Sequence, residues 1–294
     1  MGEYSQEPIL LVGSMSIDHT LKGIQLGGAV AYAASVIDSM GYRARILTIG
    51  NSKLDLGVLK KHELHVIPDK KVLTFEINSK NEERELKLLQ KPSKRITLDD
   101  LPKSWRNTNT LIMAPLIEDD IEISPFLEFA NNISNVSLLT QGLQRRGDYK
   151  IIYSNISHFN SLLQYFSRSF SIFRSDEEAK FWSKEQVNQT LATGARIITT
   201  LGKQGAMVHR SDKIIKIQPV PTNLELDSTG AGDIFATAFT LSLNHGEQHA
   251  GRLAAAYATS SIEQIGPLPL PPKKIICKRV LDRPSAFDHN HQGD

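Results

Sequence analysis

Apolar residues follow two different rhythms along this chain. Residues 9–12 form an unbroken apolar run closed by Gly13, the pattern of a strand buried on both faces. Val30, Ala33, Ala34 and Ile37 then recur at three- and four-residue spacing, which predicts a helix over 27–40 that Gly41 stops. Residues 45–50 predict a second strand and 55–64 a short helix. Strand, helix, strand, helix is the order of a parallel sheet covered by helices. The rhythm changes at 72–77 and 85–89, where apolar and polar residues alternate about a polar turn at 78–83. That alternation predicts a β-hairpin inserted into an α/β chain.

The first rhythm then resumes. Strands are predicted at 110–114, 136–140, 171–174 and 196–202, with helices at 125–131, 158–167 and 184–192. A second hairpin is expected at 206–209 and 213–217, then helices at 234–243 and 251–262. The second of these reads as the last helix, before a Pro-rich exit at 267–272. Nothing divides the chain cleanly, so 1–284 reads as one domain and 285–294 as a polar tail.

Composition narrows the function classes. Of the 294 residues, 40% are hydrophobic and 22% charged, ordinary values for a globular protein. A net charge of +2 gives no reason to expect nucleic acid or an anionic membrane as partner. Cys277 is the single cysteine, so no intrachain disulfide can form, which fits a cytoplasmic setting. The polar residues 1–8 do not read as a signal peptide, and no apolar run reaches membrane-span length. His19, His158, His209 and His245 lack the spacing of a zinc site.

The densest chemistry lies at Asp227-Ser228-Thr229-Gly230-Ala231-Gly232-Asp233, directly ahead of an apolar helical run. A helix start leaves backbone N–H groups unpaired and favours negative charge. Gly230 and Gly232 allow close approach to a ligand, and the N–H groups of Gly230, Ala231 and Gly232 can hold phosphoryl charge. Asp233 stands where a carboxylate can take a proton from a hydroxyl. Asp18, just past the first strand, can accept from two vicinal hydroxyls. Gln141 follows another strand and can reach the same sheet edge, and Arg145 or Arg146 beside it can meet an anionic group.

The run resembles the D-T-x-G-A-G-D signature of the ribokinase-like (PfkB) carbohydrate kinases. The resemblance implies an α/β three-layer sandwich with a mostly parallel central sheet and a small β lid, built here from about 14–26 and 68–95. It implies an ATP-dependent kinase acting on a hydroxyl of a sugar or polyol. A nucleoside kinase of the same fold and a non-catalytic ligand-binding member stand as alternatives. Asp18 matches the residue that holds the acceptor, and Gly27-Gly28 the glycine pair that packs close to it. Tyr32 stands where ribokinases carry Asn, which argues against ribose; its ring can stack on a substrate or fill space. Thr200, Gly202 and Gly205 match a T-L-G-x-x-G segment that meets nucleotide phosphates, and no Walker pattern is present. Glu178 matches the acid that positions Mg²⁺ through water, with Ser175 in place of the usual Asn. Asn51 stands where an Asp is common. Asp227 and Thr229, with carbonyls from 260–266, match a monovalent-cation site suited to K⁺. In some relatives the lid also forms a homodimer.

Overall fold

The computed structural model describes residues 9–51, 54–80 and 83–281. The polar tail 285–294 and the N-terminal residues 1–8 lie outside the described residues. The chain opens with β1 (Ile9–Gly13), the hairpin β2 (Ser16–Thr20) and β3 (Gly23–Gly27), α1 (Ala29–Ser39) and β4 (Ala44–Gly50). A 3₁₀ turn, Gly57–Lys61, leads to β5 (Glu63–Pro68) and the hairpin β6 (Leu73–Lys80) and β7 (Glu83–Gln90). Next come β8 (Thr110–Ala114), α2 (Ile123–Phe129), β9 (Asn135–Leu139) and the one-turn α3 (Gln141–Gln144). A short pair, β10 (Arg145–Arg146) and β11 (Ile152–Tyr153), precedes α4 (Phe159–Leu163), β12 (Phe170–Ser175), α5 (Asp176–Ala179), α6 (Lys184–Ala192) and β13 (Arg196–Thr200). The hairpin β14 (Ala206–His209) and β15 (Ile214–Ile217) then leads to α7 (Ala231–Ser242), α8 (Glu247–Ile262) and α9 (Lys273–Leu281).

Nine strands form the main sheet in the order β15-β14-β13-β12-β9-β8-β1-β4-β5. From β5 to β13 the pairs are parallel, and β14 and β15 add an antiparallel edge. Alternation along β1 divides the core. Leu11 packs with α1, α7 and α8 on one face, while Leu10 and Val12 pack with α2 and α4 on the other. This is the three-layer α/β architecture that the strand and helix rhythm predicts. Because β1 lies between β4 and β8, the chain leaves it toward both edges, and a crevice opens at the carboxyl ends of the strands.

A second, four-stranded sheet has the order β3-β2-β6-β7. It joins the two segments expected to build the lid. Phe75, Ile77, Leu86 and Leu88 bury one of its faces against the main body. Gly28, at φ 87°, lies so close to the chain leading into β2 that a Cβ there would come within 2.6 Å of the Ser14 carbonyl oxygen. Where the second segment enters and leaves the sheet, the Asp69 carboxylate accepts from Lys71 N (2.9 Å), Ser93 N (2.9 Å), Ser93 Oγ (2.8 Å) and Lys94 N (3.0 Å). Along β7, Leu88 N donates to the Tyr149 carbonyl at 2.6 Å and Ile151 N to the Leu86 carbonyl at 2.9 Å, which ties the sheet to the segment after α3.

Two expectations are corrected. Residues 55–64 do not form an α-helix: a short 3₁₀ turn gives way at Glu63 to β5, which pairs in parallel with β4 as an edge strand. The alternation Leu64, Val66 along a one-sided edge is short, and Gly57 at the start disfavours a helix. The helix at 247–262 is also not the last. Ile276 is fully buried in the core, and the Pro-rich exit leads into α9 rather than out of the fold. Among the described residues no helix is long and apolar enough to cross a membrane.

Candidate active site

The crevice holds a cleft of about 390 Å³ whose lining draws Asp18, Gly28, Tyr32, Gln141, Glu178, Thr200, Gly202 and the turn 228–233 into one place. These residues span most of the chain, and the topology brings them together at the carboxyl edge of the sheet.

The turn before α7 is built around Gly230. Its φ of 78° is left-handed, and a Cβ there would overlap the ring of Tyr32. Tyr32 is 2% exposed, so its ring both borders the cleft and supports the turn from below. Ile234 N donates to Gly230 O at 2.9 Å, which closes the first helical turn. A Cβ on Gly232 would meet nothing within 4 Å, so this glycine opens onto cleft space rather than onto protein. The arrangement fits a phosphate held against a helix N-terminus.

Asp233 stands in the first turn of α7, where Gln141 Nε2 donates to its Oδ1 at 3.0 Å. Gln141 is held in turn by its short helix. Gly142 N donates to the Pro115 carbonyl at 3.1 Å, and Gln144 Nε2 donates to the Glu178 carbonyl at 3.0 Å. Sequence reasoning aimed Gln141 at a substrate; here its partner is Asp233.

At the other end of the cleft, Asp18 is 3% exposed and accepts from Ser16 Oγ at 2.6 Å. A Cβ on Gly27, its diagonal neighbour across the β2–β3 pair, would overlap the Asp18 carboxylate. The glycine pair therefore has two distinct tasks: Gly27 makes room for Asp18, and Gly28 seats the small sheet.

Glu178 belongs to a capping box with Ser175. Ser175 Oγ accepts from Glu178 N at 3.2 Å, and Glu178 Oε2 accepts from Ser175 N at 2.9 Å. The cap and the placement of Glu178 in the cleft are thus one structure. Burial pushes the Glu178 carboxyl above its usual range, against the pull of the Ser175 N–H and of Arg145.

Thr200 and Gly202 line the cleft, whereas Gly205 turns the chain into β14 against the Ile217 carbonyl, away from that lining. Asp227 braces the approach to α7. Its Oδ1 accepts from Thr229 N at 3.0 Å and its Oδ2 from Gly266 N at 3.3 Å, which brings the segment around 262–266 alongside. Among the described residues no cluster of three or more His, Cys, Asp or Glu side chains suits a metal held by protein alone.

Arg174 is the cleft residue that sequence reasoning missed, although an arginine inside an apolar strand was a visible signal. It is buried, donates to Thr199 Oγ1 at 3.1 Å and lies 4.8 Å over the Trp182 ring. Burial lowers its pKa to about 10, with Glu178 opposing.

A model of the pfkB family carbohydrate kinases matches residues 122–274, just over half of the chain. The ribokinase of Arabidopsis thaliana is 32% identical over 103 residues, a match covering 32% of this chain and 27% of that protein. The matched stretch is thus about a quarter of the curated relative's length. Among solved structures, a pyrophosphate-dependent kinase of the ribokinase family, complexed with a pyrophosphate analog and myo-inositol, superposes with a TM-score of 0.75 at 18% identity. That superposition covers 92% of this chain and 99% of the other. Arabidopsis thaliana ribokinase complexed with ribose and ATP gives 0.69 at 18% identity, covering 94% and 99%. The Burkholderia thailandensis nucleoside kinase in complex with inosine gives 0.71 at 17%, covering 93% and 97%. At these identities the structures establish a shared ribokinase-like fold.

Proposed function

The chain belongs to the pfkB family of carbohydrate kinases, and we propose that it transfers the γ-phosphate of ATP to a hydroxyl of a small sugar or polyol. The observation that carries this reading is Asp233 in the first turn of α7, oriented by Gln141 and sharing one cleft with Asp18.

In this reading Asp18, with one oxygen already held by Ser16, takes hydroxyls of the acceptor. Asp233 removes the proton from the hydroxyl to be phosphorylated. A bond then forms from that oxygen to the terminal phosphorus of the donor as the bond to the bridging oxygen breaks. Backbone N–H groups of Gly230, Ala231 and Gly232 hold the charge on the transferred group. Thr200 and Gly202 meet the donor phosphates. Glu178 suits a divalent cation held through water, because its buried carboxyl gains from a nearby positive charge. Mg²⁺ would supply neutralisation of the donor phosphates. Asp227, Thr229 and the neighbouring carbonyls are the place for a monovalent cation. The small sheet serves as the lid, with Phe75, Ile77 and Leu86 bordering the cleft from its side.

An ADP-release screen with Mg·ATP against sugars, polyols, phosphosugars and nucleosides, with and without K⁺, tests the assignment. Asp233→Asn should lower turnover by about 10²–10⁴-fold while leaving ATP binding nearly intact. Near-normal turnover in that variant would falsify the role of Asp233 as base.

A further inference from the structure

Two residues of the cleft ride on single helical turns. Gln141 opens α3 and Glu178 lies in α5, and each of these helices is four residues long. A turn that short does not hold itself in water, so bonds from outside must fix it. For α5 they are local: the Ser175–Glu178 capping box joins it to the end of β12. The N-terminus of α3 has no side-chain cap. On one side α3 rests on Pro115, where Gly142 N donates to the carbonyl at 3.1 Å and a Cβ on Gly142 would come within 2.4 Å of the backbone.

On the side of α5 the bonds converge on Gln144, the last residue of the turn, which is fully buried. Its Oε1 accepts from Thr140 Oγ1 at 3.1 Å and from Trp182 Nε1 at 3.2 Å. Its Nε2 donates to the Glu178 carbonyl at 3.0 Å and to the Ser154 carbonyl at 3.3 Å. An amide offers two acceptor and two donor positions, and Gln144 uses all four. Their assignment is fixed, because an indole N–H only donates and a carbonyl only accepts. An ionised Glu would bring no donor to the two carbonyls, and an apolar side chain would leave the buried Trp182 N–H without its acceptor.

We propose that Gln144 is a positioning residue for the transfer: it anchors α3 on α5, so that Gln141, three residues earlier, meets Asp233 at 3.0 Å. Gln144 is fully buried and acts only through Gln141. Because α5 keeps its own capping box, loss of the Gln144 amide frees α3 rather than α5. The inference rests on the reading of Asp233 as the base.

A double-mutant cycle tests it, read as kcat for ADP release from Mg·ATP with a sugar or polyol that wild type phosphorylates. Gln144→Met lowers kcat about 3–10-fold and leaves the acceptor KM within about 3-fold of wild type, because Asp18 is undisturbed. Added to Gln141→Leu, it costs less than about 2-fold more, since the bond it supports is already gone. Losses that multiply overturn the proposal, as does a Gln144→Met protein with wild-type kcat and only a lower urea midpoint. Hydrogen exchange gives a reading without substrate. Peptides covering 141–146 exchange about 10-fold faster in Gln144→Met, while those covering 175–179 change little. Unchanged exchange over 141–146 also overturns the proposal. Should Gln144→Met fail to fold, Gln144→Glu keeps the shape and the bonds from Thr140 and Trp182 but faces the two carbonyls with oxygen, and the same limits apply to it. Asp233→Asn keeps the two failures apart. If it stays active, the reading of Asp233 as base falls, while exchange over 141–146 still decides whether Gln144 anchors α3.

Discussion

Gln141 and Asp233 are 92 residues apart in sequence and 3.0 Å apart in space. A neutral amide donating to one carboxylate oxygen fixes the plane of its carboxyl group. Gln141→Leu should therefore lower kcat about 10-fold with little change in the KM for the donor, since Asp233 loses the bond that orients it. A kcat within about 2-fold of wild type would show that Gln141 does not act on Asp233. The sequence made both residues candidates but not their partnership, because a side-chain contact across 92 positions leaves no local pattern. Tyr32 is a similar case. Its departure from Asn was visible, but its place under Gly230 depends on how α1 packs on α7.

At the scale of elements, the turn into α7 is the least tolerant point of the site. Gly230→Ala would place a Cβ in the Tyr32 ring and force a left-handed φ on an L side chain. Destabilisation of about 2 kcal/mol or more is expected, seen as a lower urea midpoint together with reduced turnover. Tyr32→Ala added to it should restore only part of that loss, because the strained φ stays. A Gly230→Ala variant as stable as wild type would mean that the turn repacks. Elements with strong periodicity were legible: β1, α6, β13 and both hairpins appear where apolar spacing placed them. Those that failed had weak signals. The edge strand β5 is short and half-exposed. Helix α9 follows a proline cluster and carries Lys273, Lys274, Lys278 and Arg279, so its buried anchor, Ile276, is masked by a basic surface. The capping box at Ser175 was readable because its chemistry is local.

For the molecule as a whole, Asp120 sets part of the pH response. It is 3% exposed, and burial pushes its carboxyl up to about 7, against the Leu116 N–H that it accepts at 2.7 Å. In the unfolded chain it titrates near 3.8. Between those values unfolding releases a proton, so this group makes the fold less stable as pH rises from about 4 to 7, by up to about 1.4 kcal/mol per pH unit. Asp120→Asn should remove that slope and gain on wild type from about pH 5 to about pH 8, as read from urea midpoints at both values. A difference that does not change with pH would show that Asp120 titrates normally.

The small sheet has one more consequence at this scale. Its outer strand β7 is bonded through the backbone to the segment that follows α3, where Leu88 N donates to the Tyr149 carbonyl at 2.6 Å and Ile151 N to the Leu86 carbonyl at 2.9 Å. At the opposite edge of the sheet, the β2–β3 turn places Lys22 so that it donates to the Leu226 carbonyl just ahead of the α7 turn. The sheet is thus tied at both edges to segments that border the cleft, so one element holds those two segments in register.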